Sequence, residues 1–92
     1  MNDIAYLGTI VEVGNKTAIM KKDDPVRTNA IINGTPVFRF QFGNYVTIRF
    51  PYSQKTTHYS IVEEKLKTCK LAFCEWEGDS IAVVGSEVYL DE

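Results

Sequence analysis

Arg39 and Arg49 are the residues of this chain whose types and spacing point most directly to chemistry. They lie in two alternating runs, Val37-Phe38-Arg39-Phe40-Gln41-Phe42 and Tyr45-Val46-Thr47-Ile48-Arg49-Phe50, separated by Gly43-Asn44. Side chains of a strand alternate between two faces, so the parity of the loop decides which faces meet in a hairpin. An odd loop, Gly43-Asn44-Tyr45, puts Phe38, Phe40, Phe42, Val46, Ile48 and Phe50 on one side. It then sets Arg39 opposite Arg49, and Gln41 opposite Thr47, on the other. An even Gly-Asn loop mixes arginine with phenylalanine on both faces. Burial of three Phe side chains outweighs the turn preference, which favours the odd register. Directly opposed like charges destabilise by up to about 1 kcal/mol unless an anion intervenes. The pair therefore predicts a site for a small anion or an acidic partner, with two bidentate guanidinium donors supported by Gln41 and Thr47. The competing expectation is an acid on a neighbouring strand, such as Glu12 or Glu87, that neutralises the pair internally.

Other groups carry weaker signals. Lys21, Lys22 and Arg27 form a basic stretch able to contact a partner, but Asp23 and Asp24 lie within it, as in a solvated connector. Tyr45, Tyr52 and Tyr59 flank Arg39, Arg49 and Lys55, the mixture of rings and cations that binders of single-stranded nucleic acid use. The phenylalanines, in contrast, alternate as core residues do. His58, the one histidine, has no nucleophile motif around it and makes no metal-binding spacing with Cys69 and Cys74. Glu75, Glu77 and Asp79 are placed in no pocket by any local pattern. No catalytic residue, metal site or cofactor is predicted, and enzyme activity is not expected.

Charge is uneven along the chain. Residues 1–60 hold seven Lys/Arg against four Asp/Glu, and residues 61–92 hold three against eight. From Glu75 onward there are six acids and no base. Such halves either present a basic face to a polyanion or lie against each other and cancel. The overall pI of about 5.4 is unlike that of a dedicated duplex-DNA binder.

The elements that must position these residues follow from turn and cap signals. A strand from Ile4 to Val13 and a return over Thr17 to Met20 flank Gly14-Asn15, whose glycine suits a type II′ turn. Asn29 to Ile32 and the run beginning at Thr35 flank Asn33-Gly34, the strongest hairpin signal in the chain, with Pro36 at a site that does not hydrogen-bond to its partner. Pro51 to Tyr59 reads as a polar connection. Ser60-Ile61-Val62-Glu63 has the form of a capping box, and Val62, Leu66, Cys69, Phe73 and Trp76 then recur at helical spacing. A helix is thus expected to start near Ile61 and to end between Lys70 and Glu77, with a hairpin of Leu71 to Trp76 and Ser80 to Val84 about Glu77-Gly78-Asp79 as the alternative for its second half. Ile81 to Val84 and Glu87 to Leu90 are expected as closing strands.

Ninety-two residues make one domain, 1–92. The predicted fold class is α+β: a curled antiparallel sheet of about five to seven strands, barrel-like in outline, packed on the one helix. An oligonucleotide-binding-fold-like barrel is the alternative architecture. Residues 1–6 lack the charged-then-apolar order of a signal peptide, and no apolar run approaches the ~18 residues of a membrane span. A cytoplasmic location without membrane partners is therefore the default expectation. The favoured functional class is a non-enzymatic protein-binding module, such as a small inhibitor, an immunity protein or a phage or mobile-element anti-defence protein. The alternatives are a nucleic-acid or nucleotide binder on a basic sheet face, and a homodimer or larger homo-oligomer pairing through an edge strand such as Glu87 to Leu90.

Overall fold

Thr57, Tyr59 and Ile61 alternate with His58, Ser60 and Val62, and the first three are buried. That period of two, not the helical one, governs the middle of the chain. The computed structural model describes residues 6–91. Its strands run in the order β1 (Tyr6–Val13), β2 (Thr17–Lys22), β3 (Asn29–Ile32), β4 (Thr35–Phe38), β5 (Tyr45–Arg49), β6 (Thr56–Glu64), β7 (Thr68–Phe73) and β8 (Glu87–Leu90). Ile4 and Ala5, the expected start of the first strand, lie outside the described residues.

Six strands close into an antiparallel barrel in the order β1-β2-β7-β6-β5-β8, and β3 with β4 forms a separate hairpin. Strands β5, β6 and β7 are a meander, and β8 returns to lie beside β5, which is a Greek-key connection. The core is the inward row of each strand: Leu7 and Ile10, Met20, Val46 and Ile48, Tyr59 and Ile61, Leu71, Val88. Phe40 and Ala82 enter it from loops. Register shifts at Ile10/Glu12 in β1 and at Ile61/Glu63 in β6 mark bulges, which bend strands tightly enough to close a small barrel.

Several expectations are corrected. The helix at Ile61 does not form: no helix occurs among the described residues, so none there is long and apolar enough to cross a membrane. The fold is all-β and not α+β, and neither the helix-packed sheet nor the oligonucleotide-binding-like alternative with its helix describes it. The Ser60–Glu63 box lies inside β6, where Thr56, Thr57, Tyr59, Ile61 and Val62 are all good strand formers. A cap contributes about 1 kcal/mol, whereas burying Tyr59, Ile61 and Leu71 contributes roughly 1.5–3 kcal/mol each. Leu66, a member of the supposed helical stripe, sits 77% exposed in the turn between β6 and β7.

The hairpin about Gly43-Asn44 does not form either. β4 pairs with β3, while β5 pairs with β6 and β8. Arg39 and Arg49 are therefore not cross-strand neighbours, and Phe42 lies exposed while Phe40 is buried. Of the expected closing pair, Glu87 to Leu90 forms β8, and Ile81 to Val84 is irregular. In the first turn the positive φ falls on Lys16, at 63°, and not on Gly14. The Asn33-Gly34 turn is as expected, with φ of 51° and 79°, the signs a type I′ hairpin requires.

Gly8 marks the closest backbone approach. A Cβ there would lie 2.0 Å from the Lys21 carbonyl oxygen of the paired strand β2. Gly8→Ala is expected to cost about 1–3 kcal/mol, seen as a melting temperature lower by roughly 5–20 °C in circular dichroism; an unchanged melt would contradict this packing.

Burial also sets an alkaline limit. It pushes the Cys69 thiol from its ordinary 9.0 up to about 11, with Lys22 opposing and Glu64 assisting, and it raises the Tyr59 phenol. Both groups are held neutral in the fold, so between these limits the unfolded chain carries fewer protons and stability falls as pH rises. The urea midpoint should hold steady up to about pH 9 and decline toward about pH 11. Cys69→Ala should flatten that decline; an identical pH profile in the variant would exclude the thiol as its source.

Candidate functional site

Of the residues singled out from sequence, Tyr45, Thr47 and Arg49 share the outward face of β5, at every second position. The others are dispersed. Arg39 is 0% exposed. Its Nη1 donates to the carbonyls of Arg27 (2.8 Å) and Asp24 (3.4 Å), and its Nη2 donates to the Tyr6 carbonyl (2.9 Å) and to the Asp23 carboxylate. Asp23 thus supplies the internal counter-charge, in place of the expected Glu12 or Glu87. Lys22 is buried too, with Nζ 2.8 Å from Glu64 and 4.5 Å from the centre of the Phe40 ring. The Arg39 guanidinium lies 4.8 Å from the same ring, so two cations and an aromatic seal this end of the barrel.

Lys21 and Gln41 are exposed, and Arg27 contributes its backbone to Arg39. Arg49 lies 5.7 Å from the Tyr89 ring, opposite Glu87 of β8 and Thr56 of β6. It lines a polar depression of about 530 Å³ with Phe50, Ser53, Gln54 and Glu87. The expected two-arginine anion site is therefore not assembled: one guanidinium is internal and the other stands beside an acid.

A different site is assembled around Tyr45. The Cys74 N–H donates to the His58 carbonyl (2.8 Å), extending the β6–β7 pairing by one position, and beyond it the chain crosses the outward face of β6. This lays the Trp76 ring 4.4 Å from His58 and 5.9 Å from Tyr45, centre to centre. His58 Nδ1 lies 3.0 Å from the Asp79 carboxylate, which clamps the middle of the same loop to the barrel. Further along the loop, the Tyr59 hydroxyl accepts from the Ala82 N–H (3.0 Å), a second anchor reaching the core. Trp76 is 47% exposed and Tyr45 53% exposed, although both are held in place by these contacts.

The opposite wall comes from the β3–β4 hairpin. Pairing of Ala30 with Val37 and of Ile32 with Thr35 puts Ala30, Ile32 and Val37 on one face, turned to the barrel. Ile31, Pro36 and Phe38 occupy the other face and are exposed. Between Ile32 and Val37 on one side and Tyr45, Trp76 and Leu90 on the other runs an open groove of about 480 Å³. Among the described residues Asp91 is the one charged side chain in its wall, and its Oδ1 accepts from Thr47 Oγ1 (2.7 Å). Among the described residues no group of three or more His, Cys, Asp or Glu is arranged to hold a metal ion.

Sequence reasoning found Tyr45 and Thr47 but missed Trp76, Asp91 and the hairpin wall. Trp76 falls on the helical stripe, although its setting, Glu75-Trp76-Glu77-Gly78-Asp79, has the polarity of a loop. The edge strand expected at Glu87–Leu90 is bonded on both sides, by β1 and β5, and offers no free edge. Comparison with protein families, curated proteins and solved structures gives no match, and the chemistry of the site rests on its own geometry.

Arg39 and Arg49 have opposite expected roles. Arg39→Ala strands Asp23 and three carbonyls, and should destabilise the fold by about 3–5 kcal/mol. Arg49→Ala should stay within about 0.5 kcal/mol of the parent. Urea unfolding of the two variants checks this, and equal midpoints would refute it.

Proposed function

We propose that the protein is a non-enzymatic interaction module that binds a protein partner at the Tyr45–Trp76 groove, acting by occupying the partner's surface as small inhibitors and immunity proteins do. The observation carrying this reading is the exposed, braced aromatic pair of Tyr45 and Trp76 over an apolar groove. Rigid, half-exposed Trp and Tyr side chains offer large contact areas at little entropic cost, and they dominate binding energy at protein interfaces.

Charge supports a protein partner over a polyanion. Arg39 and Lys22 are consumed by Asp23 and Glu64 inside the fold. The loop that carries Trp76 brings Glu75, Glu77 and Asp79 with it, and no base follows Glu75 in the sequence. Nucleic-acid affinity rests on phosphate neutralisation, for which this face is poorly equipped.

Affinity capture with tagged protein tests the reading when paired with two variants. Trp76→Ala should lose the captured partner, with affinity reduced about thirtyfold or more, as befits a hot-spot residue. Leu66→Ala, in the exposed β6–β7 turn, should retain it. Equal retention by Trp76→Ala and the parent would overturn the proposal, as would an oligonucleotide held at low salt in place of a protein.

A further inference from the structure

We propose that the groove between the β3–β4 hairpin and the Tyr45–Trp76 pair receives a lysine or arginine side chain of the partner, with Asp91 as its counter-charge. This rests on the docking reading and deepens it by naming the chemistry of the occupant. Ile32, Val37 and Leu90 supply aliphatic walls, which suit the methylene stem of a long basic side chain. Tyr45 and Trp76 present two ring systems at the groove, the surfaces on which a cation is held. Asp91 lies in the same wall, half-buried, and the Thr47 hydroxyl fixes its orientation through Oδ1; among the described residues no hydrogen bond engages Oδ2.

Charge complementarity selects this occupant. Among the described residues no lysine or arginine lines the groove to neutralise Asp91. Glu77, one residue past Trp76, adds charge of the same sign, while Glu75 is paired with Lys16 (3.3 Å) and Asp79 with His58 (3.0 Å). An uncharged aliphatic side chain would fill the walls but leave the carboxylate partly desolvated and unpaired. An acidic one would meet like charge. A basic one satisfies the rings, the walls and the carboxylate together, and partial exclusion of water strengthens the pairing.

Trp76 is the only tryptophan, so its emission reports this groove directly. The probes are end-blocked glycine pentapeptides carrying arginine, lysine, norleucine or glutamate at the centre. Arginine and lysine peptides should change Trp76 emission saturably, and norleucine and glutamate peptides should bind at least about tenfold more weakly. Asp91→Asn keeps the acceptor for Thr47 and should weaken the arginine peptide about tenfold. Tyr45→Leu, which keeps bulk but removes a ring, should weaken it several-fold. Norleucine binding as tightly as arginine, or Asp91→Asn binding as the parent does, would overturn the inference. So would emission that changes on dilution alone, the mark of a second copy in the groove. If Trp76→Ala loses the captured protein while Asp91→Asn holds it at parent affinity, the docking site stands and the basic occupant falls. If Trp76→Ala still holds the protein, the docking site itself falls.

Discussion

Strand β8 contributes only four residues, yet it bonds to β1 on one side and β5 on the other. Without it, two strands would be left with open edges and the inward rows would face solvent along a seam. Closure removes edges altogether, and it demands strong coiling from strands this short. The bulges in β1 and β6 and the bare backbone at Gly8 supply that coiling. Val88 and Leu90 complete the core from the same strand, so the element that closes the ladder also fills its interior.

Closure at one end depends on charge held inside. The Arg39 guanidinium joins the loop at residues 23–27 and the start of β1 to the chain leaving the hairpin. A guanidinium with five donors in a fixed fork is suited to gathering several carbonyls and a carboxylate. Lys22 with Glu64 does the same across the barrel mouth, and Phe40 lies against both cations. These residues hold the hairpin whose inner face walls the groove, so their contribution to binding is positional. The aromatic side of the groove is built by separate means, through His58 with Asp79 and Tyr59 with the backbone of Ala82. The two walls thus come from insertions into different connections, β2 to β5 and β7 to β8, and the barrel between them sets their distance.

The alternation of β5, the Asn33-Gly34 turn and the general outline of a curled antiparallel sheet were legible because each is set by residues near one another in the chain. The Ser60–Glu63 box and the stripe from Val62 to Trp76 are equally local signals, and they point to a helix. They lose because Thr57, Tyr59 and Ile61 find partners on β5 and β7, and Leu71 finds its place in the core, through contacts that no local window contains. In the same way, Arg39 and Arg49 look like neighbours because their runs are adjacent in sequence. The strand that precedes Arg39 ends at Phe38, and the following turn sends the guanidinium inward.

For the site the division is similar. Sequence alone determined the alternation of β5 that turns Thr47 and Arg49 outward, and the excess of acid from Glu75 onward; Tyr45, expected in a loop, proves to begin that strand. Composition and short-range periodicity are properties of the chain itself. Only the tertiary structure decided which cations are consumed inside the fold, where Trp76 lies and that Asp91 stands beside Tyr45. Those facts depend on pairings between residues far apart in the chain, such as Thr47 with Asp91, 44 positions away. Such pairings are chosen by the burial and closure of the whole barrel, in which every strand's register is constrained by two neighbours at once.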